Sequence, residues 1–203
     1  MRALVLVDLQ YDFLPGGALA VVRGDETLAV ARALIPRFDV VVATQDWHPP
    51  SHQSFAANHP DKKPGEMTDL GGLPQVLWPV HCVQGTRGAE LHESLDPGSI
   101  AAVFRKGMDP AVDSYSGFFD NGHKAATGLG DWLTAKQITQ LYVLGLATDY
   151  CVKFTVLDAR QLGFEVWLVE DGCRAVELTR GDEERAIAAM RDAGATILTS
   201  GSI

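Results

Sequence analysis

The sequence is short of several things. Its 203 residues include only three cysteines, Cys82, Cys151 and Cys173, an odd and widely spread set. Such a set argues against a disulfide framework and for reduced thiols in a cytoplasmic protein. Basic residues are outnumbered, with 17 Lys and Arg against 26 Asp and Glu, and the formal net charge is −9. No Lys/Arg cluster offsets that balance, so neither nucleic acid nor an anionic membrane surface is expected as a partner. No apolar run approaches the roughly 20 residues of a membrane span. The opening MRALVLVDLQ carries one Arg and an Asp in its apolar stretch, and reads as a first strand, not a signal peptide. Internal repeats, low-complexity tracts and linkers are lacking too. A single domain over residues 1–203 is expected. A chain of this length buries about 70 % of its unfolded surface and needs no staples.

What is present has the periodicity of an α/β protein. Leu141-Tyr142-Val143-Leu144 is an apolar run short enough for a buried strand, and Gly145 breaks it. From Val152 the apolar residues recur at Val156, Ala159 and Leu162, which is helical spacing, and Gly163 suits a helix stop. Ala3–Val7, Val40–Ala43, Ile100–Phe104, Phe164–Val169 and Ala195–Leu198 read as further strands. Asp25 reads as the N-cap of a helix through Leu28, Ala31, Leu34 and Ile35. Another helix lies around Gly130–Leu133, and Thr179 to Ala193 is amphipathic with Gly194 as its stop. Glu170-Asp171-Gly172 reads as a turn. Six short strands separated by helical segments predict a three-layer α/β sandwich. Its centre is a mostly parallel six-stranded sheet with helices on both faces. Residues from about 45 to 100 are rich in Pro, Gly and His with little periodicity, and so long a loop region inside a compact domain is usually functional.

Asp8, Asp46, His48, Lys106 and Cys151 each follow a candidate strand. Each has an ordinary reading: Asp8 a turn former, Cys151 a core cysteine, Lys106 a solvated lysine, Asp46 and His48 surface polar residues. In a parallel sheet, however, the carboxyl ends lie along one edge, and there distant residues meet. A free thiol is only a few per cent ionised at pH 7 and needs help to act as a nucleophile. Cys151 begins the helix that contains Val152, where unpaired N–H groups favour a thiolate, so its value is expected below the free 8.5 or so. Lys106 adds positive charge. Asp8 suits the removal of the thiol proton and its later return to a leaving group. Backbone N–H groups near Ala147 and Cys151 suit an oxyanion. This is the pattern of nucleophilic acyl chemistry.

A second pattern runs beside it. Asp46 and His48 are two apart, so in an extended segment they point to one face and can grip one ion. Trp78-Pro79-Val80-His81-Cys82 offers His81 as a third ligand. One carboxylate and two imidazoles suit one divalent ion, zinc, iron or manganese, with positions left open. Cys82 is read as structural, because adjacent residues of an extended chain rarely aim at one ion. Asp113-Ser114-Tyr115-Ser116-Gly117-Phe118-Phe119 is an aromatic loop able to close over a ligand, and Phe13 and Leu19 suit either a pocket or the core.

Taken together, Asp8, the D-W-H of Asp46 to His48, His81, the F-R-K-G around Lys106, the loop from Asp113 and the G-L-A-T-D-Y-C-V ending at Val152 resemble the nicotinamidases. Those belong to the isochorismatase-like cysteine hydrolases, and the resemblance spans nearly the whole chain in order. It implies hydrolysis of nicotinamide to nicotinic acid and ammonia in NAD salvage, with pyrazinamide as a further substrate. It implies Asp8, Lys106 and Cys151 as the catalytic three, and Asp46, His48 and His81 as ligands of a divalent metal that holds the pyridine nitrogen. Ser54 falls where some relatives carry another ligand, and could act here only through water. Phe13, Leu19, Trp78, Tyr115 and Tyr150 match pocket positions, and a cis bond is implied before Ala147. The implied partner is a small molecule, and the protein is a monomer or a homo-oligomer. Three alternatives remain: an amidase of the same superfamily acting on another small amide, an isochorismatase, and a catalytically silent binding module. Cys151 and the Asp46/His48/His81 set argue against an isochorismatase.

Overall fold

Ala3 to Val7 are wholly buried, as a continuous apolar run requires of a strand covered on both faces. The computed structural model describes residues 1–203. That strand, β1 (Arg2–Val7), is followed by α1 (Glu26–Leu34), β2 (Val41–Asp46), β3 (Met67–Leu70), β4 (Leu73–Val76), β5 (Ala102–Lys106) and α2 (Leu129–Ala135). Then come β6 (Gln140–Leu146), α3 (Lys153–Gln161), β7 (Glu165–Arg174), α4 (Asp182–Asp192) and β8 (Thr196–Leu198). Six strands make one sheet in the order β5-β2-β1-β6-β7-β8. Every neighbouring pair in it is parallel, as the alternation of strands and helices predicts.

The order of strands places the site. From β1 the chain steps outward to β2 and β5 on one side. It then crosses back to β6 and steps outward to β7 and β8 on the other. Crossovers between parallel strands are right-handed, so α1 covers one face and α2, α3 and α4 cover the opposite face. The direction of winding reverses between the neighbours β1 and β6, and open α/β sheets bind their ligands beyond the carboxyl ends at such a reversal. Asp8 follows β1 there, and Cys151 lies just beyond β6.

Several elements differ from the sequence reading. Gly145 does not end its strand. It sits inside β6 at φ +134, where a Cβ would stand 2.1 Å from the Val7 carbonyl oxygen, and the register against β7 shifts between Val143 and Gly145. Glu170-Asp171-Gly172 does not turn the chain either. β7 continues to Arg174 because Cys173 and Arg174 pair with Gly145 and Leu146. The Asp171 carboxylate, which would favour a turn, instead accepts the Ser200 N–H (2.8 Å) and hydroxyl (2.6 Å). Asp25 occupies the N-cap of α1 without a side-chain cap bond, and the Thr27 hydroxyl bonds the Gly24 carbonyl. The region from 45 to 100 is not all loop, since β3 and β4 pair antiparallel across Gly71-Gly72. A Gly-Gly between short extended segments was a hairpin signal that could have been read.

Candidate active site

Asp46 and Lys106 end β2 and β5, and the parallel register makes them direct cross-strand partners. Lys106 lies at the centre of the site. Its Nζ stands 2.9 Å from Asp8 Oδ2, 2.5 Å from Asp46 Oδ1, 3.0 Å from the Ser114 carbonyl and 3.3 Å from Cys151 Sγ. Burying an unpaired ammonium costs several kcal/mol. Burial does disfavour the Lys106 charge, but Asp46 and Asp8 outweigh it and hold the lysine well above its ordinary value. Asp8, at φ 51, also accepts the Thr44 hydroxyl at 2.6 Å.

The two carboxylates that share Lys106 diverge. Burial is the largest influence on Asp8, and with the nearby Asp46 charge it raises Asp8 against the pull of Lys106. For Asp46, burial is outweighed by Lys106 and His48, and the group is lowered. Asp46 therefore stays charged, and Asp8 is the carboxylate suited to receive a proton.

Cys151 is not the first residue of an α-helix, as its sequence suggests. It lies in a single π-helical turn, Thr148–Val152, that runs into α3. The expected fall in its thiol value is also absent. Burial pushes it well above the usual range, and Lys106 counteracts this only in part because Asp8 and Asp46 push it up. The resting group is a thiol with a proton acceptor and an ammonium beside it. The π-turn has a consequence for the backbone: the Ala147 carbonyl accepts the N–H of Tyr150 (3.1 Å) and of Val152 (3.1 Å), passing over that of Cys151 between them. The Leu146–Ala147 peptide is cis, as the resemblance implied.

Asp46 has a second role, because its other oxygen points away from Lys106. Oδ2 lies 3.6 Å from His48 Nε2 and 4.0 Å from His81 Nε2. His48 Nδ1 donates to the Gly107 carbonyl and His81 Nδ1 to that of Pro79, each at 2.8 Å. Carbonyls only accept, so in the neutral rings both Nε2 atoms present lone pairs toward Asp46. Burial pushes His81 down to about 4, which keeps it neutral. Burial also opposes charge on His48, but Asp46 outweighs it and raises that ring. Three buried donors converging in this way fit one divalent cation. Gly107 makes the convergence possible: at φ +64, its Cβ would fall 2.3 Å from His48 Cε1.

Phe13, Leu19, Trp78, Tyr115 and Tyr150 all line one cavity with Cys151. The Asp46, His48, His81 and Ala147 side of the site lines it too, and the cavity with its open mouth holds about 380 Å³. The buried Ser54 hydroxyl is engaged with His52 Nδ1 at 2.7 Å. Cys82 is buried at φ 45 with its N–H on Asp12 Oδ2 (2.7 Å), in keeping with a structural role.

Some residues of the site were not expected. Thr44 orients Asp8 and could have been found, since it lies two residues before Asp46 on the same strand face. Gln10 braces Asp46 by accepting its N–H and donating to its carbonyl, both at 2.8 Å, and nothing local signals that. Asp113 lines the cavity, although the sequence marked only the aromatic character of its loop.

Comparison with known proteins gives the chain a family. Residues 2–202 match the Isochorismatase domain family. The chain is 55 % identical to the nicotinamidase of Escherichia coli over 98 % of its own length and 94 % of that protein's. Among solved structures, a nicotinamidase/pyrazinamidase of Acinetobacter baumanii superposes with a TM-score of 0.96 at 44 % identity, covering 99 % of this chain and 97 % of that one. The pyrazinamidase of Pyrococcus horikoshii, solved in complex with zinc, superposes with a TM-score of 0.77 at 36 % identity and covers 98 % of both chains.

Proposed function

This chain belongs to the isochorismatase family, and from that premise we propose that it is a cysteine amidohydrolase that converts nicotinamide to nicotinic acid and ammonia. One observation carries the reading. A single buried ammonium, Lys106, touches the thiol of Cys151 and both Asp8 and Asp46, at a cavity that the two imidazoles also reach.

The chemistry follows from those contacts. Asp8 takes the Sγ proton as the sulfur of Cys151 attacks the amide carbon, and Lys106 compensates the charge that moves between them. The N–H groups of Ala147 and Cys151 hold the oxyanion, a contribution worth roughly 10²–10³ in rate per donor. When the C–N bond breaks, Asp8 returns the proton to the leaving nitrogen and ammonia departs. Water then attacks the thioester and gives a proton to Asp8. The C–S bond breaks, nicotinic acid forms, and Asp8 reprotonates the sulfur. Asp46, His48 and His81 hold one divalent cation, zinc or iron before manganese, which when bound supplies a Lewis acid for the pyridine nitrogen. Phe13, Leu19, Trp78, Tyr115 and Tyr150 enclose the ring, and pyrazinamide fits the same chemistry. The reaction belongs to NAD salvage, in the cytoplasm.

The test is ammonia release from nicotinamide by purified protein, before and after chelation, with bound metal quantified. We expect one metal per chain and release that falls as the metal is removed. Metal-loaded protein that releases no ammonia would overturn the assignment of nicotinamide.

A further inference from the structure

Gln75 is the only buried residue on the strands of the β3–β4 hairpin, whose other positions are half-buried or exposed. A buried amide is costly unless its donors and acceptor are bonded. Here Nε2 lies 3.0 Å from Asp113 Oδ2, 2.9 Å from Tyr115 Oη and 2.8 Å from the Val76 carbonyl. Oε1 accepts Asn121 Nδ2 at 3.4 Å. Asn121 in turn accepts the Tyr115 N–H (3.0 Å) and donates its own N–H to the Asp113 carbonyl (2.8 Å). Asp113 and Tyr115 line the cavity, and Gln75 stands behind them.

The hydrogen count sets a polarity. Trp78 Nε1 reaches the same phenol oxygen at 3.3 Å. A phenol has one hydrogen and two acceptor positions. The Gln75 amide nitrogen, which divides two hydrogens among Asp113, Val76 and Tyr115, and the Trp78 indole nitrogen are both donors that cannot accept, so Tyr115 spends its own hydrogen on neither and keeps it to give. The ring cannot turn away easily, since it meets Tyr150 edge-on at 5.3 Å and stacks on Phe154 at 5.5 Å.

We propose that Gln75 is a positioning residue for substrate specificity: it makes Tyr115 a hydrogen-bond donor into the cavity, so that the site selects small planar aromatic amides carrying an acceptor there. The proposal rests on the amidohydrolase reading above. It assigns to the hairpin, which contains no reacting group, a share in ligand affinity.

The experiment is steady-state kinetics on nicotinamide with metal-loaded wild type, Gln75→Leu, Gln75→Glu, Tyr115→Phe and the Gln75→Leu/Tyr115→Phe double variant. Gln75→Glu keeps the shape and loses the donors, so it stands in should Gln75→Leu fold poorly. Each single variant is expected to raise KM about tenfold, the size one hydrogen bond supports, with kcat within about twofold. The double variant is expected to resemble Tyr115→Phe within about twofold, because Gln75 acts through that hydroxyl. An unchanged KM, a loss confined to kcat, or factors that multiply in the double variant would overturn the proposal. The dissociation constant of nicotinate, read by tryptophan fluorescence, is measured on the same proteins. Should wild type not hydrolyse nicotinamide, the assignment of that substrate falls while that constant still decides the role of Gln75. Binding about tenfold weaker in the Gln75 variants supports it, and equal binding, or no binding to wild type, overturns it.

Discussion

Cys151 and Asp8 divide the labour of bond making and proton transfer, so their removal has different signatures. Cys151→Ala is expected to abolish ammonia release while metal content, measured by elemental analysis, stays at the wild-type level, because its sulfur is on Lys106 and not in the His48/His81 cluster. Asp8→Asn is expected to stop hydrolysis yet bind nicotinamide within a fewfold of wild type by calorimetry. The pH dependence follows from the carboxylate form of Asp8 being the active one. Burial raises Asp8, so kcat/KM falls on the acid side at a pH above the ordinary carboxylate range of about 3.9. The Thr44 hydroxyl stabilises the charged form and lowers Asp8. Thr44→Val is therefore expected to move that acid limb to higher pH, and a limb that stayed in place would remove Thr44 from the site.

At the scale of elements, β-strand ends and the turns that follow them hold the chemistry, and the helices hold the strands. Gly107, the residue after β5, is packed against the His48 ring. Gly107→Ala is expected to weaken metal binding by at least tenfold in a chelator competition, since a displaced imidazole no longer aims at Asp46. On the opposite side of the sheet from α3, Glu26 at the start of α1 is lowered from 4.5 to about 2 by its hydrogen bonds to Arg23 and then Arg174. The unfolded chain therefore binds a proton that the folded chain refuses. The resulting stability is full above pH 4.5 and is lost as pH falls toward 2. Glu26→Gln is expected to flatten that part of the stability curve in urea unfolding between those pH values.

For the molecule as a whole, metal and fold are linked by mass action. The three donors come from β2, the turn after it and the segment before Cys82, and they converge only in the folded chain. A cation at 100 times its dissociation constant is expected to add about 2.7 kcal/mol of stability. Thermal unfolding should thus shift upward with added zinc, and the shift should be absent in His48→Ala. A midpoint that ignored zinc in wild type would argue against a site assembled by folding.

The sequence by itself determined the six strands of the main sheet, the helices between them and the kinds of group at the strand ends. Apolar runs such as Ala3–Val7 and the helical spacing from Val152 to Leu162 are local patterns, and local backbone geometry is enough to interpret them. The pairing of Asp46 with His48 was legible for the same reason, and so was the stop at Gly163, which stands at φ +90. Tertiary structure alone decided which groups touch and in what ionisation state. Asp46 and Lys106 meet through strand register across 60 positions, and Asp46 then splits its oxygens between that lysine and the histidines. The thiol of Cys151 is raised because burial and two carboxylates outweigh a favourable chain position. β7 outruns its turn residues because β6 offers partners beyond them. Register, burial and summed charge depend on residues far apart in the chain, and no window of neighbouring residues contains them.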